Sequence, residues 1–347
     1  MKWLPICAML LWSLALACQQ QHSPQPVVHT VLGPIPADSL GTTLIHEHVF
    51  LDWSPVGSYH PETWQRDTAF AAILPHLLEA KSRGVRSFLE CTPNYLGRDP
   101  LLLRRLSEAS GLHILTNTGY YGARNDQHVP ASAFKETPQA IAQRWVEEFE
   151  KGIEGTGIRP GFIKIGVDGD STLSEIDAKI VRAAALAHLR TGLTIVGHTG
   201  ANTQLAQQQL DILAAEGVAP DAFVWTHAQG SPSTSLTEMA RRGAWVSLDG
   251  LGWVHPDTHG GDSTEFNRYV QWLQRLKSNG LLHRTLIAHD AGWYTHGEPG
   301  GGPYTPHTLI FDLLLPTLRK QGFGERDFEQ LLESNPKEAY QVRVRKK

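Results

Sequence analysis

Two histidines, His46 and His48, close the apolar run Thr43-Leu-Ile-His-Glu-His-Val-Phe50, and four later apolar runs end in Lys164, His198, His227 and Asp290. Imidazoles and carboxylates are the groups that borderline divalent cations take as ligands. Residues two apart on an extended strand point the same way, so one strand could turn both imidazoles of His-Glu-His toward one interior while Glu47 faces away. A lone histidine at a strand end is ordinarily a hydrogen-bonded structural residue. Ligand-type residues recurring at the ends of five such runs point instead to a metal centre.

About eight short apolar runs are available to position these side chains. They span Thr42 to Phe50, Val85 to Pro93, His113 to Tyr121, Gly161 to Gly169, Leu193 to Gly200, Phe223 to Gly230, Ala244 to Trp253 and Arg284 to Gly292. Amphipathic stretches lie between them: Phe70 to Ser82, Ile141 to Lys151, Ile176 to Arg190, Leu205 to Ala215 and Phe266 to Lys277. Strand alternating with helix predicts an α/β protein with a parallel sheet, and about eight units in roughly 250 residues is the size of a closed (β/α)8 TIM barrel. An open doubly wound sheet competes with it. No Gly-x-Gly-x-x-Gly follows the first run, however, and only closure would bring His46 beside Asp290. The candidate ligands then all fall at the C-terminal ends of strands, where barrels carry their chemistry. Lys164 is the odd member, because an ammonium beside two cations would be repelled. It must be neutral, outside the cluster, or carboxylated to a carbamate able to bridge two ions; the plainer reading is a lysine snorkelling from the barrel mouth.

At this point the chain resembles the phosphotriesterase family of the amidohydrolase superfamily, which includes phosphotriesterase-related proteins and phosphotriesterase-like lactonases. The resemblance rests on Val31-Leu-Gly-Pro-Ile-Pro followed by Leu40-Gly-Thr-Thr-Leu-Ile-His-Glu-His48, on Cys91-Thr-Pro-Asn-Tyr-Leu-Gly-Arg-Asp99, and on Thr118-Gly-Tyr-Tyr121. Gly161-Phe-Ile-Lys164, Ile287-Ala-His-Asp290 and Asn335-Pro336 follow in matching order. It implies a short N-terminal β-hairpin leading into the barrel. It also implies that His46, His48 and Asp290 hold one divalent metal, that His198 and His227 hold a second, and that carboxylated Lys164 and a hydroxide bridge them. Zinc is the implied metal, although such mixed sites also accept manganese, iron or cobalt. The expected activity is that of a binuclear metal hydrolase cleaving a lactone, a carboxylic ester or an organophosphate ester. Asp290 would double as the catalytic group that takes the proton of the attacking water.

Two departures bear on substrate. Phosphotriesterases of the family often carry an acid shortly after the second-metal histidine and a histidine after the aspartate ending the seventh strand; this chain has Ala228-Gln-Gly230 and Asp249-Gly250. Lactonase members commonly place arginine where Gly250 stands. Tyr121 does match a tyrosine lining the lactonase pocket, and Trp253, Trp293 and Tyr294 would either wall a substrate site or pack loop against barrel. Asp249 reads equally as a structural acceptor or a catalytic group. The alternative function is a membrane-tethered binding protein that uses the barrel without turnover.

Met1-Lys-Trp and the apolar stretch to Ala17 are too short for a membrane span and read as a signal peptide over 1–17. Ala15-Leu-Ala17-Cys18 suits either signal-peptidase cleavage or lipidation of Cys18, with 18–26 as a flexible tether and 27–347 as one barrel domain. The expected location is the bacterial cell envelope as a lipoprotein, with a periplasmic or secreted protein as the alternative, and the membrane is touched only through the anchor. Cys91 alone remains in the barrel, which leaves no cysteine pair for a disulfide. A net charge of -4 without a basic run in the barrel argues against nucleic acid, and the basic tail Arg343 to Lys347 reads as a solvated terminus. The expected partner is a small ester or lactone, and the resemblance implies a homodimer. Intact-mass analysis of the mature N-terminus is expected to show acylated Cys18; an unmodified cysteine there would leave only the secreted reading.

Overall fold

The computed structural model describes residues 25–254 and 263–347; the signal peptide, Cys18 and most of the tether lie outside the described residues. An antiparallel hairpin, β1 (Val27–Thr30) and β2 (Gly33–Pro36), precedes the barrel as expected. The barrel strands follow as β3 (Thr43–Leu51), β4 (Ser87–Glu90), β5 (His113–Leu115) with β6 (Asn117–Thr118), β7 (Phe162–Gly166), β8 (Ile195–His198), β9 (Phe223–Thr226), β10 (Trp245–Leu248), and β11 (Thr285–Ile287) with β12 (Gly292–Thr295). Each expected apolar run forms a strand. Two of them are interrupted, at Thr116 and around Asp290.

The helices are α1 (Arg66–Ser82), α2 (Pro100–Ser110), α3 (Ala131–Lys135), α4 (Pro138–Lys151), α5 (Glu175–Thr191), α6 (Thr203–Ala215), α7 (Ser233–Arg241), α8 (Thr264–Ser278), α9 (Leu315–Lys320), α10 (Glu325–Glu329) and α11 (Asn335–Tyr340). Several begin on a side chain that satisfies an otherwise orphaned amide: Asp99 accepts from Leu102 N–H, Thr137 from Ala140, Ser174 from Asp177 and Asn202 from Leu205. Helices α2 and α5 end on Gly111 and Gly192 in the left-handed conformation. These caps stop each helix short and return the chain to the next strand.

Parallel pairing runs β6-β7-β8-β9-β10-β11 on one arc and β5-β4-β3-β12 on the other. Thr116 alone separates β5 from β6. At the other seam, Asp290 N–H donates to the His46 carbonyl at 3.0 Å, so β11 is stitched to β3 and the ring closes. The result is the (β/α)8 barrel.

Its apolar core has two parts. One lies between the strands and the surrounding helices, with Leu44, Phe88, Ile163, Ile195 and Trp225 among its members. The other fills the lower barrel interior, where Ile45, Leu89, Phe162, Val196, Val224, Trp245 and Leu286 meet. Simple alternation would set Ile45 and His46 on opposite faces. Pairing between β3 and β4 shifts register between Leu44 and Glu47, and a bulge there lets Ile45 join the interior plug while His46 and His48 still face the cluster above it.

Glu47 faces away from that cluster, as expected, but it is not solvated. It accepts from both His289 Nδ1, at 2.7 Å, and the His289 and Ala291 amides, and lies 3.1 Å from His307 Nδ1. His289 Nε2 in turn accepts from Ile310 N–H, and His307 Nε2 meets the Tyr304 hydroxyl. With every ring nitrogen engaged, this group is a hydrogen-bonded clamp between β3 and the chain after β12.

The basic tail is exposed as expected at Arg343, Val344, Lys346 and Lys347, but Arg345 is buried: its side chain donates to the carbonyls of Glu338 and Ala339 and its amide donates to His188 Nε2, while Val342 N–H bonds the Val27 carbonyl. The Arg345 charge is tolerated because carbonyl oxygens surround it. Of the two readings for Tyr294, the packing one holds: its ring stacks on Phe50 in the outer core.

Gly292 holds φ +106°, and a Cβ there would overlap the His48 carbonyl. We expect Gly292→Ala to destabilise the protein by roughly 2–4 kcal/mol and to loosen the β12–β3 seam. A denaturation midpoint equal to that of the parent would show that the close approach is not needed.

Candidate active site

The upper interior gathers every candidate ligand. His46 Nε2 lies 3.1 Å from Lys164 Nζ and 3.8 Å from Asp290 Oδ1. His48 Nε2 is 3.0 Å from the same oxygen, and His227 Nδ1 is 3.8 Å from Asp290 Oδ2. His198 Nδ1 meets His227 Nε2 at 2.8 Å. His46, His48, Lys164, His227 and Asp290 are buried, and His198 is partly so. Residues far apart in the chain thus occupy one point because each ends a strand of a closed ring.

The outward-facing nitrogens are already committed. His46 Nδ1 bonds Asp249 Oδ2 at 3.0 Å, and His48 Nδ1 bonds Thr92 Oγ1 at 2.8 Å. Asp249 also accepts the His227 amide at 2.8 Å. Asp249 is therefore a positioning residue for two of the imidazoles. Thr92 passes its own proton to buried Glu90, so the order of donation is His48 Nδ1–H to Thr92 to Glu90. That order leaves the His48 Nε2 lone pair facing Asp290, the arrangement a metal-binding imidazole needs. Sequence reading missed Glu90 and Thr92. They are two apart at the end of β4, the spacing that singled out His46 and His48 on β3.

His46, His48 and Asp290 each present a ligand atom within 4.8 Å of the others, a grouping able to hold a metal ion. Asp290 Oδ1 is buried without an aligned hydrogen bond, which fits an oxygen awaiting a cation. Burial, helped by the Lys164 charge, lowers the His46 pKa to about 4, so its imidazole is neutral and free to coordinate. Burial and the neighbouring His227 likewise push His198 well down. For Asp290 burial acts upward, but the surrounding His46 and His48 outweigh it and hold the carboxyl below its usual range. His227 and Asp290 adopt φ of 58° and 50°, backbone conformations that non-glycine residues keep mainly where function demands them.

Above the cluster opens a cavity of about 340 Å³ with aromatic walls. Tyr121 directs its hydroxyl to His198 Nε2 at 3.2 Å, Trp253 stacks on His227 at 5.1 Å, and Trp293 lies 4.8 Å from the His48 ring. All three expected wall residues line it, joined by Trp53, Leu96 and Arg124, which sequence reading did not single out. Gly250 has a steric reason for lacking a side chain. The Gln229 amide fills the space a Cβ would take, and its Oε1 accepts the Asp249 amide.

The sequence pattern of the phosphotriesterase family matches residues 26–340. The chain belongs to the phosphotriesterase family. It is 29% identical to the phosphotriesterase homology protein of Escherichia coli, over 88% of this chain and 99% of that one. It is 27% identical to the N-acetyltaurine hydrolase of Rattus norvegicus, over 90% and 97% of the two chains. Among solved structures, the organophosphorus hydrolase of Deinococcus radiodurans superposes with a TM-score of 0.79 at 29% identity, covering 91% of this chain and 97% of that one. Membership makes this chain a hydrolase of the metal-dependent type, and its His/Asp cluster has the donors for that chemistry.

Burial raises the Glu90 carboxyl to about 8. An acid whose pKa rises on folding contributes stability that is complete below its unfolded value and is lost as pH climbs through the folded one. In chelator-treated protein the buried imidazoles, with lowered pKa values, add stability as pH rises through the ordinary histidine range, so the Glu90 contribution is read as a difference: the urea midpoint of the parent is expected to fall relative to that of Glu90→Gln between about pH 5 and pH 8. A difference between the two proteins that stays constant across this range would contradict the assignment.

Proposed function

We propose that this phosphotriesterase-family chain is a binuclear metal hydrolase, and that its substrate is a lactone, a carboxylic ester or an organophosphate ester. The observation carrying the reading is the convergence of two histidine pairs, Lys164 and Asp290 from separate strand ends. Several of those imidazoles have one nitrogen anchored and the other turned inward. His46, His48 and Asp290 would hold one divalent ion, and His198 with His227 the second. Zinc suits this imidazole and carboxylate set. Lys164 has no carboxylate within ion-pair range among the described residues, so an ammonium there would be buried and unpaired. Conversion to a carbamate by carbon dioxide removes that cost and supplies the bridging ligand. Bound in this way, the ions would lower the pKa of water toward neutrality and polarise the oxygen of the bond under attack.

The chain's own groups do the rest. Asp290 takes the proton of the attacking water and hands it toward the leaving group. Asp249 and the Thr92–Glu90 pair keep the imidazoles in the tautomer that presents a lone pair inward. The aromatic walls exclude water and hold the apolar part of the substrate. Ala228-Gln-Gly230 and Asp249-Gly250 hold neither the acid nor the histidine of the phosphotriesterase relay, and Asp290 is the proton acceptor that this reading assigns. The name of the rat relative adds an N-acyl amide to the bonds worth assaying.

Purified protein is expected to carry two divalent ions and to turn over at least one member of a lactone, aryl ester, aryl phosphotriester and N-acyl amide panel, with loss on chelation. Lys164→Ala should weaken metal binding by about 10-fold or more, with partial recovery in added acetate. Asp290→Asn should keep part of the metal yet lose about 10²-fold or more in kcat. Full metal occupancy in Lys164→Ala without additive would remove the carbamate, and parental turnover in Asp290→Asn would remove the proton role.

A further inference from the structure

The cavity lining is uneven in charge. At the bottom stand the cluster residues, with Asp290 the only acid among the described lining residues. At the mouth stands a single cation, Arg124, whose guanidinium carbon sits 4.4 Å over the Trp53 ring. Trp53 stacks on Trp293 at 5.8 Å, and Trp293 lies 4.8 Å from His48. A ladder of rings therefore leads from the cluster to the guanidinium.

Arg124 has no hydrogen bond or ion pair among the described residues. Asp168 is close by, its Oδ2 accepting the Asn125 amide at 2.8 Å, but it forms no ion pair with Arg124 among the described residues. The backbone is bent to put the side chain there. Arg124, Asn125 and Asp126 hold φ of 64°, 56° and 59°, three successive left-handed residues, none of them glycine. Asn and Asp adopt this conformation readily, whereas an arginine there costs about 1 kcal/mol, and the turn they form carries Arg124 to the cavity mouth. A planar guanidinium with open donors is suited to a carboxylate or sulfonate, while its stacked face keeps it rigid.

We infer that Arg124 is a specificity residue, and that the substrate carries an anionic group, a carboxylate or sulfonate, separated by a short apolar spacer from the bond cleaved at the His46–Asp290 cluster. This rests on the hydrolase reading above and narrows it. A neutral triester or simple alkyl lactone would leave the guanidinium unused, whereas a half-ester of a dicarboxylic acid would fill ladder and cation together.

A matched pair of probes tests it: the 4-nitrophenyl monoester of glutaric acid, with a free carboxylate, against 4-nitrophenyl valerate, which puts a methyl in its place. The metal-loaded parent should prefer the anionic ester by about fivefold or more in kcat/KM, chiefly through KM, and the preference should shrink with salt. Arg124→Gln should abolish the preference, Arg124→Lys should keep part of it, and Arg124→Glu should reverse it. The same ratio in parent and Arg124→Gln, or no preference in a parent that cleaves both esters, would overturn the inference while leaving the hydrolase reading intact. If neither ester is cleaved, the hydrolase reading is what suffers. Calorimetric binding of glutaric monoanilide to chelator-treated parent, lost in Arg124→Gln, then still supports the anion site, and equal binding by both proteins sinks it.

Discussion

The seam that joins β3 to β11 and β12, made by the Asp290 amide on the His46 carbonyl, the His48 amide on the Ala291 carbonyl and the parallel β12–β3 pairing, closes the strand ring, and the site depends on that closure. Without it, the first and last barrel strands would sit at opposite edges of a sheet and their ligand-type side chains would never meet. With it, His46 and His48 face Asp290 across a single seam, and Lys164, His198 and His227 enter from the opposite arc. The seam leaves no slack. Gly292, two residues past Asp290, has no room for a side chain against the His48 carbonyl. Asp290 itself keeps a left-handed backbone conformation. A closed ring lets this strain persist because the neighbouring strands leave few other paths for the chain.

A second layer of polar contacts makes the cluster usable. Burial keeps the His46 and His198 imidazoles neutral, but a neutral imidazole has two tautomers, and a metal-binding one must present its lone pair inward. Asp249 settles that choice for His46, and the Thr92–Glu90 pair settles it for His48. Outside the barrel wall Glu47 plays the corresponding part for His289 and His307, pinning the chain after β12. The three consecutive residues His46, Glu47 and His48 thus join two polar networks back to back. The β3 bulge sets their phase.

Specificity is governed by a different part of the molecule from the chemistry. The cluster sits on strand ends, held by ladder hydrogen bonds, while the walls come from loops: Trp53 after β3, Tyr121 and Arg124 after β6, and Trp293 at the start of β12. Loops can change without disturbing the barrel, so family membership carries the reaction class more securely than the substrate. The packing of the Gln229 amide against Gly250 is a local instance of such a loop contact above the strand ends.

The order of strands and helices was legible from the chain alone, because hydrophobic periodicity is a local property and each run ends where its strand does. So were the candidate ligands that the structure brings together, since His, Lys and Asp at strand ends are rare enough to stand out, and the resemblance of their motifs pointed to one family. Tertiary structure alone settled the parts that depend on contacts across the chain. The β3 bulge sets Ile45 in the interior plug against simple alternation, beside two histidines that alternation already turns inward, and the partners of Asp249, Thr92 and Glu90 lie dozens to hundreds of residues away or on another strand. Tail residue Arg345 is buried because the tail folds back on the Glu338 and Ala339 carbonyls and its amide reaches His188 of α5, and Arg124 stands at the cavity mouth on a loop with three successive left-handed residues. Composition marks all of these as ordinary polar surface residues; only packing shows which ones water never reaches.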